Sequence, residues 1–215
     1  MSTVCPLPMR APRRRAVQAG ARGFSLIEVL VVILIMTFGL LGIAGLQAAT
    51  AKYKVNSWVR SAASVQFSDL ADRLRANPDQ AGGRFVAATG TPSAVSAYVM
   101  EDDWATQQAD TLTPANNCLT TVCTAAERAA FDLVTWRAEV RRQFPQGAVT
   151  VSGDVAVGVT TTIAWFDRQF TNAAGTLQSS DVCAAGGNAA TAASCCPATL
   201  DAPAGVRCAN MVINP

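Results

Sequence analysis

The longest apolar segment of the chain runs from Val29 to Ala51, and it contains no charged residue. About twenty helical residues cross the ~30 Å hydrocarbon core of a bilayer, so this segment is long enough to span a membrane as a helix. No acidic residue precedes Glu28, whereas the first residues carry five arginines: Arg10, Arg13, Arg14, Arg15 and Arg22. Because basic flanks stay in the cytoplasm, we expect the C-terminal bulk to be exported.

Beyond this segment, apolar residues recur every three or four positions, which predicts that the same helix continues with one buried face. The stripe consists of Val55, Val59, Ala63, Phe67, Leu70 and Leu74. Asn77-Pro78 predicts its end, because the residue before a proline disfavours helical backbone. A helix from about Leu26 to Ala76 would be roughly 75 Å long, with its second half lying on a domain.

Residues 79–117 are rich in turn formers and poorly periodic, so we predict a loop with little regular structure. Glu101, Asp102 and Asp103 lack the spaced oxygens and the glycine of a known calcium loop. A solvated acidic turn is the better interpretation, and we predict no metal site here.

A second helix is predicted to open at Thr124, because Thr124 and Glu127 form a capping box. Its buried face would comprise Ala129, Leu133, Trp136, Val140 and Phe144. Pro145 ends the pattern. We expect Trp136 to belong to the core rather than to a binding surface.

The apolar period then changes from helical spacing to two, which indicates a half-buried strand. The alternating residues are Val155, Val157, Val159, Ile163 and Trp165. Ala148–Val151 would be the hairpin partner, and Val206–Ile213 the last strand. The pattern is compatible with an α+β fold in which one long N-terminal helix packs on a small antiparallel sheet, with a second helix and a cysteine-rich C-terminal loop.

The amino-acid composition limits the classes of function that the chain can have. Half of the 215 residues are hydrophobic and 15% are charged, which is typical of a folded chain. With no histidine, the chain lacks the usual general base and the commonest metal ligand, so we predict neither an enzyme nor a cofactor. The net charge of +2 arises in the basic tail, and the remainder is net negative. The apolar segment favours a membrane flank over a nucleic-acid arm, so no nucleic-acid partner is expected.

The segment from Gly23 to Leu30, GFSLIEVL, lies between the basic leader and the apolar run. It resembles the N-terminal signal that prepilin peptidase cuts in type IV pilins. The resemblance implies the pilin fold, one long helix against an antiparallel sheet, and the pattern described above is compatible with it. The resemblance implies removal of residues 1–23, cleavage between Gly23 and Phe24, and methylation of the new amino group of Phe24. The leader is long for this family, and Met9 is an alternative start to Met1.

The same resemblance implies a role in assembly for Glu28. A carboxylate buried among bundled helices needs a partner. In pilins that partner is taken to be the N-terminal ammonium of a neighbouring subunit, here on Phe24, and the pairing would set the register of assembly.

A cleaved secretory signal is the alternative, with Ala49-Thr50-Ala51 as its cleavage site. The apolar run is longer than such signals require, and Glu28 lies just inside its start. A secreted periplasmic binding protein would follow from that alternative.

A narrower resemblance extends along the chain: residues 40–47, residues 69–78 and Asp132-Leu133 with Trp136 are similar to PilV-type minor pilins. It implies a minor pilin that primes assembly with other minor and major pilins and an inner-membrane assembly platform. Residues 24–51 would lie in lipid before assembly, and residues 52–77 would continue the helix. Residues 78–215 would form a domain in the periplasm of a Gram-negative bacterium. Assembly would then carry the subunit into the pilus fibre. A pseudopilin of a type II secretion system is the closest alternative.

Seven cysteines are present, and Cys5 leaves with the leader. The six others are Cys118, Cys123, Cys183, Cys195, Cys196 and Cys208. An even number in an exported domain predicts disulfides. Spacing favours a pair between Cys118 and Cys123, and leaves Cys183 and Cys208 to bond the vicinal cysteines in either order. A zinc site is the alternative, but the chain has no C-x-x-C pair and no histidine.

Overall fold

The computed structural model describes residues 23–82, 85–86, 91–92, 96–154, 158–184 and 189–214. The helices are α1 (Leu26–Ala76), α2 (Trp104–Ala109), α3 (Ala125–Gln143) and α4 (Ala189–Ala192), with a short 3-10 turn at Ala198–Leu200. The strands are β1 (Phe85–Val86), β2 (Thr91–Pro92), β3 (Ala148–Asp154), β4 (Gly158–Phe166) and β5 (Val206–Ile213). This is the predicted α+β, pilin-like fold.

The chain divides into two compact units, with the boundary between Ala51 and Lys52 inside α1. In the first unit every described side chain of α1 is exposed. In the second unit α1 buries Val59, Ala63, Phe67, Leu70 and Leu74, so the predicted stripe is confirmed at these positions. The side chain of Val55, the remaining member of that stripe, lies outside the described residues.

The main sheet has three antiparallel strands in the order β3-β4-β5. Ile163 at its centre lies opposite Val149 of β3 and Ala209 of β5. Because side chains alternate along a strand, this row defines one face, which we call the inner face. It shares a buried cluster with Phe67 of α1 and Trp136 of α3.

The opposite, outer face carries the row of Ala148, Ala164 and Cys208. These side chains share a second cluster with Trp104 of α2 and Leu200 of the C-terminal loop. The sheet is therefore covered by helices on one face and by the cysteine-rich loop and α2 on the other.

The predicted second helix is confirmed. The Thr124 hydroxyl accepts the Glu127 backbone N–H at 3.3 Å, and the Glu127 carboxylate accepts the Thr124 backbone N–H at 2.8 Å. These bonds satisfy amide donors at the first turn. The backbone N–H and the hydroxyl of Thr124 both donate to the Glu127 carboxylate, and these two bonds hold the pKa of Glu127 below its usual value. Trp136 is fully buried, and its indole N–H donates to the Gln66 carbonyl at 3.0 Å.

A partly buried polar cluster joins the end of α1 to α3. The Arg73 guanidinium lies 3.0 Å from the Asp69 carboxylate and 3.3 Å from that of Asp132. Asp132 also accepts the Tyr98 hydroxyl at 3.0 Å. The Asn77 amide donates to the Ala125 carbonyl at 2.8 Å, so the residue that ends α1 also anchors the start of α3.

The segment predicted as loop contains the short helix α2, and the prediction was wrong at these residues. Asp103 caps it, because its carboxylate accepts the Thr106 backbone N–H at 2.7 Å. The Gln107 side chain pairs with both backbone groups of Val149, at 2.8 and 2.9 Å, and so occupies part of the β3 edge. These contacts are specific to the folded state, which is why periodicity gave no sign of the helix.

The predicted hairpin is confirmed, because β3 and β4 pair as antiparallel neighbours. Val155 and Val157, which we predicted to begin the second strand, lie outside the described residues. From Gly158 onward the alternation is confirmed, with Val159, Ile163 and Trp165 buried. The last strand, Val206–Ile213, has the predicted bounds.

Candidate processing and assembly site

The predicted cleavage segment precedes α1 in non-helical backbone. Gly23, Phe24 and Ser25 are exposed, and Phe24 has an exposed fraction of 81%. The Ser25 carbonyl accepts the backbone N–H groups of Glu28 at 3.0 Å and of Val29 at 3.2 Å. The helix therefore begins just after the predicted scissile bond, whose peptide is free of helical hydrogen bonds and accessible to a peptidase.

Glu28 lies in the first turn of α1. A carboxylate there is favourable, because the unpaired amides of a helix N-terminus carry partial positive charge. The side chain is exposed, and within the described part of the chain it has no ion-pair partner. A cation brought by another molecule can therefore reach it.

The helix after Glu28 presents a continuous apolar surface. Leu26–Ala51 is long and apolar enough to cross a membrane, and none of that stretch is buried within the chain. Its hydroxyl groups bond internally: Thr37 donates to the Leu34 carbonyl at 2.8 Å and Thr50 to the Gln47 carbonyl at 3.0 Å. After Glu28, the Gln47 side chain is the remaining strongly polar group of this stretch, and the rest of its surface is compatible with hydrocarbon or with other apolar helices.

Three glycines lie on this helix. A Cβ added to Gly39, Gly42 or Gly45 would meet nothing within 4 Å. At about 100° per residue, Gly39 and Gly42 fall on the same side of the helix as Glu28. This side therefore allows a second helix to approach closely along the line on which Glu28 lies.

The six cysteines that the structure describes lie in the second unit, Lys52–Pro215. Cys118 bonds Cys123, Cys183 bonds Cys195, and Cys196 bonds Cys208. The structure thus has one of the two orders that spacing left open for the vicinal cysteines. Two of these bonds tie the C-terminal loop to itself and to β5, where small residues offer little apolar surface of their own. No cluster of three or more potential metal-ligating side chains occurs in the described ranges.

Sequence reasoning assigned no role to Leu119 and Val122, which are exposed between Cys118 and Cys123. The sequence feature that points to this loop is the absence of charged residues around a short predicted disulfide. It could not show that the apolar side chains point outward.

The family model for the prokaryotic N-terminal methylation motif matches residues 19–44. No curated protein and no solved structure gave a match. The match includes the predicted cleavage segment, Glu28 and most of the apolar helix. The chain therefore carries a type IV prepilin-like signal, which supports a pilin-like or pseudopilin subunit, processing by prepilin peptidase and a membrane anchor.

Proposed function

We propose that this chain is a minor pilin of a type IV pilus, of the PilV type, and that it acts by packing with other subunits. The observation that carries the proposal is the exposed apolar half of α1, which begins with the methylation motif and bears Glu28 in its first turn. A helix with no buried side chain in its own chain needs lipid or other subunits around it.

Processing would supply the charge that Glu28 lacks. Cleavage between Gly23 and Phe24 creates an ammonium group at Phe24. When apolar helices bundle, an unpaired carboxylate would be left without water at a cost of several kcal/mol. Pairing of Glu28 with the ammonium of a neighbouring subunit offsets that cost in one register only.

We call the second unit, Lys52–Pro215, the globular unit. It would remain outside the inner membrane and make contacts with other minor and major pilins. Three disulfides favour an oxidising compartment such as the periplasm. The prepilin-type motif belongs to structural subunits, which favours assembly over catalysis. An inner-membrane assembly platform would then extract the processed subunit from lipid into the fibre.

A pseudopilin of a type II secretion system is a second candidate, because the motif at residues 19–44 supports it equally. The two proposals share processing, anchoring and the role of Glu28. They differ in the filament that the subunit joins, and cell fractionation distinguishes them.

The test is the intact mass and N-terminal sequence of the protein from envelope and sheared-pilus fractions. We expect a chain that begins with methylated Phe24 in both fractions. Its absence from sheared pili, with processing intact, would favour the pseudopilin. A chain that begins near Lys52 would show that the apolar helix is a discarded signal peptide, and the assembly proposal would fail.

A further inference from the structure

A polar pocket lies at one end of the inner face of the sheet. Its volume of about 560 Å³ is that of a typical small-molecule site. The lining includes Trp165 of β4, Arg207 opposite it on β5, Arg60 of α1, and residues 178–181 of the segment between β4 and β5. We call this cavity the inner pocket, and all of its lining belongs to the globular unit.

Two aromatic rings line the inner pocket, and both are held in place. The ring of Trp165 packs against that of Phe144, with centroids 6.0 Å apart. The Arg207 guanidinium lies 5.1 Å from the centroid of the Phe170 ring and 3.5 Å from the Asp167 carboxylate. Because these contacts exist before a ligand arrives, little order has to be gained when an apolar surface packs on the rings.

The segment that carries most of the polar side chains is fixed through its hydrogen bonds. The Gln178 backbone N–H donates to the Phe170 carbonyl at 2.9 Å, and the Gln178 carbonyl accepts the Gly205 N–H at 2.9 Å. The Ser180 hydroxyl donates to the Val206 carbonyl at 2.6 Å. The segment therefore presents its other polar groups to the pocket from a fixed backbone.

Three polar groups of the pocket are left without a partner. Arg60 and Asp181 are exposed and form no ion pair within the described part of the chain. Trp165 is only 8% exposed, yet its indole N–H, unlike that of Trp136, has no hydrogen-bond partner in the described ranges. Buried indole N–H groups usually have one. A ligand that brings acceptors to Arg60 and Trp165 and donors to Asp181 would satisfy all three.

The charges of the lining restrict the chemistry of that ligand. Asp167 partly neutralises Arg207, so the unpaired charges are the Arg60 guanidinium and the Asp181 carboxylate. The carboxylate repels a ligand that is only an anion, such as phosphate, and favours one that also carries hydroxyl donors.

The neutral groups restrict it further. Three serines and Gln178 line the pocket, and their hydroxyl and amide groups can donate or accept. A zwitterion would match the two unpaired charges but not this set of neutral groups. A sugar ring with a carboxylate matches both, and its C–H face suits the aromatic rings.

We propose that the inner pocket binds a hexuronate, whose carboxylate pairs with Arg60 and whose hydroxyls donate to Asp181. The C–H face of the sugar would pack on Trp165 and Phe170. The inference goes beyond the proposed role in assembly, because a filament subunit with this pocket would also attach to acidic saccharides. It depends only on residues of the globular unit.

The test measures binding of methyl β-D-glucuronide and methyl α-D-galacturonide to the full-length protein in detergent by isothermal titration calorimetry. We expect saturable binding of at least one. Its neutral counterpart, the glucoside or galactoside, should bind at least about tenfold more weakly, because it lacks the charge-assisted bond to Arg60. Saturable binding of neither uronide, or displacement of a bound uronide by an equal concentration of inorganic phosphate, would overturn the proposal.

Two arginine variants give a matched comparison. Arg60→Gln removes the unpaired guanidinium and should weaken binding of the uronide about tenfold, to the level of its neutral counterpart. Arg168 is also exposed but lies outside the pocket lining, so Arg168→Gln should leave the affinity unchanged. Both substitutions are at the surface and should preserve the fold. Equal affinities in the two variants would contradict pairing of the carboxylate with Arg60.

The N-terminal mass of the same samples separates this proposal from the proposed function. Subunits that begin at Phe24 and bind neither uronide would overturn the pocket proposal and leave the minor pilin proposal standing. Subunits that begin near Lys52 and bind a uronide would overturn the assembly role and leave the pocket proposal standing.

Discussion

The two halves of α1 have the same helical backbone but differ in whether the chain buries their side chains. Leu26–Ala51 buries no side chain within the chain, whereas the half from Lys52 to Ala76 buries a stripe that includes Phe67 and Leu70. The difference shows where each half finds its partner. The second half is stabilised by its own domain, and the first requires a partner outside the chain, which is lipid or another helix.

Gly23→Phe should produce the largest effect on the first half. The substitution places a bulky side chain at the predicted cleavage site, where glycine leaves the peptide unhindered. We expect complete loss of processing and accumulation of the uncut precursor in the inner membrane, measured by intact mass. Ser25→Ala, two residues away, is the control and should be processed; normal maturation of Gly23→Phe would contradict the cleavage assignment.

Glu28→Ala should separate processing from assembly. The variant leaves the cleavage segment unchanged but removes the proposed partner of the Phe24 ammonium. Leaving a buried charge unpaired costs about 3–5 kcal/mol, so incorporation into pili should fall by at least about tenfold. The measurement is the ratio of processed subunit in sheared pili to that in the envelope. Normal incorporation would remove the register argument.

Two tryptophans of the globular unit give a matched test of burial. Trp136 is fully buried, whereas Trp58 on α1 is 56% exposed. Trp136→Ala should lower the free energy of unfolding by about 3–5 kcal/mol, and Trp58→Ala by less than about 0.5 kcal/mol. Urea unfolding of the full chain in detergent, followed by near-ultraviolet circular dichroism, measures both. Similar losses in the two variants would show that the burial assignment is wrong.

Most of the fold could be predicted because its long elements have strong periodic patterns. The stripe ending at Leu74 and the capping box at Thr124 both depend on local sequence, and both are confirmed. The helix α2 was missed because its six residues are held by Asp103 and by the pairing of Gln107 with β3. Tertiary contacts of this kind leave no periodic signal.

The functional residues also divide into those that local sequence predicts and those that depend on tertiary contacts. The cleavage segment and Glu28 form a local motif, and a family model matches it. The order of the C-terminal disulfides depends instead on β5 placing Cys208 opposite Ala164, next to Cys196. The exposure of Leu119 and Val122 likewise depends on how the loop is folded. Neither could be deduced from spacing.

The pH dependence of stability gives the smallest effect and tests the polar cluster of the globular unit. Burial raises the pKa of Tyr98 to about 12; the Asn77 hydrogen bond opposes this shift and the Asp132 charge adds to it. Below pH 10 the phenol is neutral in both the folded and the unfolded state, so its contribution is fully present. Between about pH 10 and 12 the unfolded state releases the proton first, and the free energy of unfolding should fall by about 2 kcal/mol.

Tyr98→Phe provides the comparison for that pH dependence. The variant loses the hydroxyl that donates to Asp132, so it should be less stable at pH 8 by about 1–3 kcal/mol. It also has no group at this position that titrates, so its stability should vary less between pH 10 and 12. Unfolding curves at pH 8, 10, 11 and 12 for both proteins provide the measurement. Equal slopes would show that Tyr98 is not the group responsible, whereas a flatter slope in the variant would locate the alkaline sensitivity of the globular unit at the junction of α1 and α3.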